Sequence, residues 1–217
     1  MRNVLTGVLV IGAHPDDIEL GCGATLAKLY RKNIKLFGIV ITQGSEGCAG
    51  DSHVRVEETR QALATLGVEK VFCLSFQDRQ VYQKISQVID SIESIIAQIS
   101  KEHVSIQRVY IHCPEDRHQD HRAVFDASVV ACRDISEVFC YETPSSRMHF
   151  VPNYWEELKD IHLMQKIESL KKHESQKERY YMQPESVRTV ALFRGEQVGC
   201  QYCEAFYIYK MIMAGKE

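Results

Sequence analysis

Val4-Leu5-Thr6-Gly7-Val8-Leu9-Val10-Ile11-Gly12-Ala13-His14-Pro15-Asp16-Asp17 begins as an apolar, β-branched run and then breaks into a polar cluster. A run this dense, without polar alternation, suits a strand covered on both faces, as in a parallel sheet. Similar runs occupy residues 34–41, 70–74, 108–112 and 138–141, so together with 4–11 five strands are expected. Between them apolar residues recur at spacings of three and four over 20–31, 54–66, 85–99 and 121–132, the pattern of helices with one buried face. Strand-helix alternation implies an α/β fold with a mostly parallel sheet and right-handed crossovers. Leu66-Gly67-Val68 reads as a helix stopped by a left-handed glycine.

After Pro144 the alternation fails. One charged helix is expected over 161–179, followed by an aromatic tail, 202–209, too short for a core of its own. That tail must pack on the body or on another subunit. With 217 residues, 45% hydrophobic and 25% charged, the chain fits a single domain over 1–217.

Composition excludes several function classes. A net charge of -3 offers no concentrated basic face, so no nucleic-acid partner is expected. The apolar runs are far shorter than the roughly 20 residues of a membrane span. The first run is not read as a cleaved leader, because cleavage there would destroy the His14-Pro15-Asp16-Asp17 cluster. The 8 cysteines are scattered, with Cys73, Cys132 and Cys140 inside apolar runs, which points to a reducing, cytoplasmic setting. Cys200 and Cys203 have the Cys-x-x-Cys spacing, yet no second pair exists to complete a structural zinc site.

In an open parallel sheet, ligands bind beyond the carboxyl ends of the strands. Two polar clusters fall there: His14-Pro15-Asp16-Asp17, and His112-Cys113-Pro114-Glu115-Asp116-Arg117-His118-Gln119-Asp120-His121. Three neutral or anionic ligands with an open position make a catalytic zinc site, and His14, Asp17 and His121 can supply them. Asp16, between two ligands, is the expected general base. His118 is expected to face the substrate carbonyl, and Asp120 to orient a metal-bound histidine. Taken alone, Asp16 and Asp17 could simply cap a helix; two such clusters at one sheet edge argue for a shared site. Gly21-Cys22-Gly23 lacks the full phosphate-loop pattern and is read as close backbone packing.

These motifs resemble those of the PIG-L or LmbE-like N-deacetylases, zinc enzymes acting on N-acetylglucosamine-type groups. Ala13-His14-Pro15-Asp16-Asp17 with Glu19 is similar to the family's first motif, and His118-Gln119-Asp120-His121-Arg122-Ala123 to its second. The likeness continues through Arg55-Val56-Glu57-Glu58, Phe76-Gln77-Asp78-Arg79, His173-Glu174-Ser175-Gln176 and Tyr202-Cys203-Glu204-Ala205-Phe206. The resemblance implies a Rossmann-like fold, one Zn2+ per chain (with Fe2+ the other candidate), and an amino-sugar substrate. It also implies substrate contacts near Arg55, Asp78 and Arg79, and a trimer or hexamer. Residues 44–53 are expected to wall the pocket. Two rivals stand beside this reading: a non-catalytic nucleotide-binding or regulatory module, and a non-heme iron oxygenase, which shares two His and one carboxylate but usually rides on a β-barrel.

Overall fold

The computed structural model describes residues 5–45 and 52–212; the expected pocket-wall residues 46–51 lie outside them. All five expected strands form: β1 (Leu5–Gly12), β2 (Lys35–Thr42), β3 (Lys70–Phe76), β4 (Val104–His112) and β5 (Glu137–Tyr141). The four expected helices alternate with them as α1 (Asp17–Tyr30), α2 (Ser52–Thr65), α3 (Ile85–Lys101) and α4 (Gln119–Ala131). The remainder supplies β6 (Tyr154–Leu158), α5 (Asp160–Leu170), α6 (Pro184–Glu196) and β7 (Tyr202–Met211). One sheet holds all seven strands in the order β3-β2-β1-β4-β5-β7-β6. The first five are parallel, and β7 runs antiparallel between β5 and β6.

Period-two alternation along β1 feeds two cores. Leu9 and Ile11 join Val88, Ile92 and Val124 from α3 and α4 on one face. Val8 and Val10 join Leu26 and Leu63 from α1 and α2 on the other. Each such side chain contributes roughly 1.5–3 kcal/mol on full burial, so the central strand is held from both sides. Gly67 is left-handed at φ 85°, as the sequence implies. No helix among the described residues is long and apolar enough to cross a membrane.

The last third departs from expectation. The helix expected over 161–179 stops at Leu170, because His173 is drawn into a buried contact with Glu19 of α1, Nε2 to Oε1 2.8 Å. The tail becomes an interior strand of this chain's own sheet rather than a short appendage. Its Glu204 carboxylate accepts the N–H groups of Ala24 (3.1 Å) and Thr25 (2.7 Å), which a kink at Cys22 leaves free within α1. Lys166 Nζ donates to Glu204 Oε1 and to Leu20 O, both at 2.7 Å, completing a buried network under α1.

Gly21 permits the closest approach in the fold's active half. A Cβ there would stand 2.2 Å from the Tyr141 ring, whose hydroxyl donates to Ile11 O at 2.7 Å. Gly21→Ala must therefore displace a buried ring tied to β1. We expect it to lower unfolding free energy by about 1–3 kcal/mol in urea titration; an unchanged midpoint would show that the ring yields freely.

Candidate active site

The order β2-β1-β4 makes the ends of β1 and β4 a topological switch point, where successive connections leave in opposite directions and open a crevice. The strand ends are tied together: Ala13 N–H donates to His112 Nε2 at 3.0 Å. Asp16 takes a left-handed backbone, φ 93°, just before α1, and its side chain makes no cap hydrogen bond. Its carboxylate therefore does not serve the helix, which removes the bland capping explanation for that residue.

Three donor atoms from the two loops meet. His14 Nδ1 lies 3.2 Å from His121 Nε2 and 3.4 Å from Asp17 Oδ2, and His121 Nε2 lies 3.3 Å from Asp17 Oδ2. Ligands placed tetrahedrally about 2.0–2.1 Å from one zinc ion stand about 3.3–3.4 Å apart, so this triangle fits a single ion. Two overlapping groups are also within reach of one ion: Asp17, His112 and His121, and His14, His118 and His121. In the first, however, His112 Nε2 already accepts the Ala13 N–H, and in the second His118 Nδ1 accepts the Asp120 N–H at 3.2 Å.

Each histidine of the triangle is oriented by a carboxylate on its far nitrogen. His14 Nε2 meets Asp120 Oδ2 at 3.2 Å; the Asp120 carboxylate also accepts the backbone N–H groups of Arg79 (2.6 Å) and Val81 (3.3 Å). His121 Nδ1 meets Asp116 Oδ2 at 3.0 Å; Asp116 is fixed by the hydroxyls of Thr143 (2.9 Å) and Ser145 (2.6 Å) and by His118 N–H (2.7 Å). Such pairs fix the tautomer that leaves the other nitrogen for the ion. Asp120 thus sits as the sequence implies. Asp116 and His112 have no assigned role in the sequence reading, although both stand in the quoted stretch. The available signal is that an imidazole ligand needs an acceptor, and Asp116 is an acid five residues before His121. His112, fully buried, stacks on His121 with ring centroids 4.0 Å apart.

A cavity of about 270 Å³ opens over these groups. Eight of the nine residues singled out from sequence line it; Asp120 lies beneath. Arg55 departs from the expected substrate contact. Its guanidinium is buried and donates to Gly44 O (2.7 Å), Pro15 O (2.9 Å) and Asp16 Oδ2 (3.4 Å). Gln176, Arg179 and Tyr181 add a wall the sequence reading did not foresee. That wall is anchored by Glu19 on His173 and by Glu58, which accepts from Ser175 N–H (2.9 Å) and hydroxyl (2.6 Å).

A family model described as PIG-L, GlcNAc-PI de-N-acetylase, matches residues 9–132, more than half of the chain and both loops of the triangle. The chain belongs to the PIG-L family. It is 45% identical over 175 residues to the uncharacterized deacetylase YaiS of Escherichia coli K12, covering 80% of this chain and 93% of that protein. It is 26% identical to the diacetylchitobiose deacetylase of Thermococcus kodakarensis, covering 93% and 82% respectively. Among solved structures, the conserved protein TT1542 of Thermus thermophilus superposes with a TM-score of 0.82 at 22% identity, covering 96% of each chain.

In this PIG-L chain the charge balance of the triangle favours a cation. Burial alone would discourage protonation of both histidines. Asp120 and Asp17 nevertheless raise His14 to about 10, and Asp17 with Asp116 raises His121 to about 9. Burial also opposes ionisation of Asp17, but His121 and His112 hold it well below the usual carboxylate range. His112 itself is lowered to about 4 by burial and by His121. Without an ion, protons must supply the positive charge, although nitrogens 3.2 Å apart cannot both point a proton at each other. Zinc binding at pH 7 should therefore release at least about one proton per ion, and affinity should fall as pH drops. Calorimetric titration in buffers of different ionisation enthalpy measures this; binding without proton release would contradict the assigned charges.

Proposed function

We propose that this protein is a divalent-metal-dependent N-deacetylase that hydrolyses the acetamide of an N-acetylglucosamine-type amino sugar to acetate and a free amine. The observation that carries the reading is the triangle of His14 Nδ1, Asp17 Oδ2 and His121 Nε2, with the Asp16 carboxylate beside it and uncommitted to the helix. Those three side chains would hold the ion, Zn2+ with Fe2+ as the other candidate. Bound there, a divalent ion would acidify a water and polarise the acetamide oxygen.

The chain's own residues do the rest. Asp16 takes the proton of the attacking water. Burial and the neighbouring Asp17 push its carboxyl above the usual range, against the restraint of Arg55, which suits a base working near neutrality. Arg55 acts as a positioning residue for that base: its bonds to Pro15 O and Gly44 O fix the loop, and its terminal nitrogens face protein rather than the cavity. His118 holds a proton on Nε2, because Nδ1 accepts the Asp120 N–H. Burial, with His14 and His121 nearby, lowers its pKa, so the ring is neutral at pH 7 and donates to the developing oxyanion. The same proton can pass to the departing amine.

A nucleotide-binding module fits less well. The first βα turn, where such folds offer backbone N–H groups to a phosphate, here presents Asp16 and Asp17, whose charges repel one. An oxygenase reading loses its usual scaffold, since the sheet is open rather than a closed barrel.

Asp16→Asn keeps the size of the side chain, and Asn tolerates left-handed backbone. We expect acetate release from N-acetylglucosamine-type sugars to fall by about 10²–10⁴-fold in kcat, with metal content by atomic absorption unchanged. A loss of less than about tenfold would remove Asp16 from the role of base.

A further inference from the structure

We infer that the mouth of the cavity selects amino sugars bearing an anionic substituent, a phosphate or a carboxylate, through Arg79 and Arg179; this deepens, and rests on, the deacetylase reading of the floor.

Arg79 stands in left-handed backbone at φ 61°, a conformation that disfavours side chains with a Cβ. Asn33 and His103 share it, but they sit in turns that end α1 and α3, where such residues are common. Asp16 and Arg79 are the two that line the cavity. Backbone strain persists only where surroundings impose it, and it concentrates at functional sites. Here two bonds impose it: Arg79 N–H donates to Asp120 Oδ2 at 2.6 Å, and Gln119 Nε2 donates to Arg79 O at 2.8 Å. The carboxylate that orients His14 therefore also fixes where the Arg79 side chain starts. A guanidinium is registered against the reacting centre, at a cost that glycine would avoid.

Arg179 reaches the cavity from the segment held by Glu19–His173 and Glu58–Ser175, independently of the β3 turn that carries Arg79. Both side chains are exposed, so they lie at the mouth rather than the floor. The acids that share the cavity are engaged lower down: Asp16 faces Arg55, Asp17 lies between His14 and His121, and Asp78 is buried. The mouth is thus positive on two sides. A cavity of about 270 Å³ is small for a ligand pocket, so a sugar whose acetamide reaches the floor would bring its substituents to the rim. Guanidinium forks pair bidentately with phosphate and carboxylate oxygens.

The test compares zinc-loaded protein with its Arg79→Gly and Arg179→Gln variants, using N-acetylglucosamine, N-acetylglucosamine 6-phosphate and N-acetylmuramic acid as probes. Binding is read by calorimetry at low ionic strength, and acetate release is read in parallel. We expect the parent to bind at least one anionic sugar about tenfold more tightly than the neutral one, and the preference to shrink with added salt. Arg79→Gly relieves its own backbone, so its Tm should equal or exceed the parent's by up to about 2–4 °C while the preference falls to within about threefold. Arg179→Gln should lower the preference likewise. Equal binding of neutral and anionic sugars, or a preference that survives both substitutions, overturns the inference. Acetate release without a charge preference sinks the mouth alone; a charge preference without acetate release supports the mouth and sinks the deacetylase reading.

Discussion

Everything at this site depends on one constraint: two imidazole nitrogens and a carboxylate oxygen, brought from loops more than a hundred residues apart, must sit within 3.4 Å of each other. Such crowding is unfavourable among protons alone and favourable around a dication, so the fold has to enforce it. Enforcement comes from the sheet. β1 and β4 are hydrogen-bonded neighbours, and the Ala13–His112 contact locks their ends. Asp120 of the second loop orients His14 of the first, which couples the two loops through side chains as well.

The C-terminal third works for the same end. Glu204 caps the second half of kinked α1, Lys166 neutralises it, and Glu19 of α1 receives His173. α1 carries Asp17 at its first position, so contacts along its length hold a ligand in place. Breaking a buried pair such as Lys166–Glu204 by removing one partner typically costs about 3–5 kcal/mol, and here the strain would be passed to the helix that presents the carboxylate. This account gives the Tyr202–Phe206 motif a role within the chain.

The sheet's parallel half is legible in the sequence because dense Val and Ile runs leave few alternatives, and Gly67 signals its own left-handed turn. The triangle is legible because His and Asp after buried strands have few other uses. Asp116 is harder, since an acid that binds no ion leaves no spacing of its own; only the need to orient His121 reveals it. Arg55 is readable as a residue of the cavity, yet not its direction, because Pro15 O and Gly44 O accept from it only once the chain is folded. α6 and β6 leave no clear pattern in the sequence, and α5 is shorter than its charged stretch suggests. There the apolar periodicity is diluted by charge, and the decisive contacts, Glu19 with His173 among them, join residues far apart in sequence.

The most direct measurement is anomalous diffraction at the zinc edge from crystals of the zinc-loaded protein. The account predicts one peak per chain, about 2.0–2.2 Å from His14 Nδ1, Asp17 Oδ2 and His121 Nε2, with Asp16 beside it but not ligating. A peak bound through His112 in place of His14, or no peak between the two loops, would contradict it.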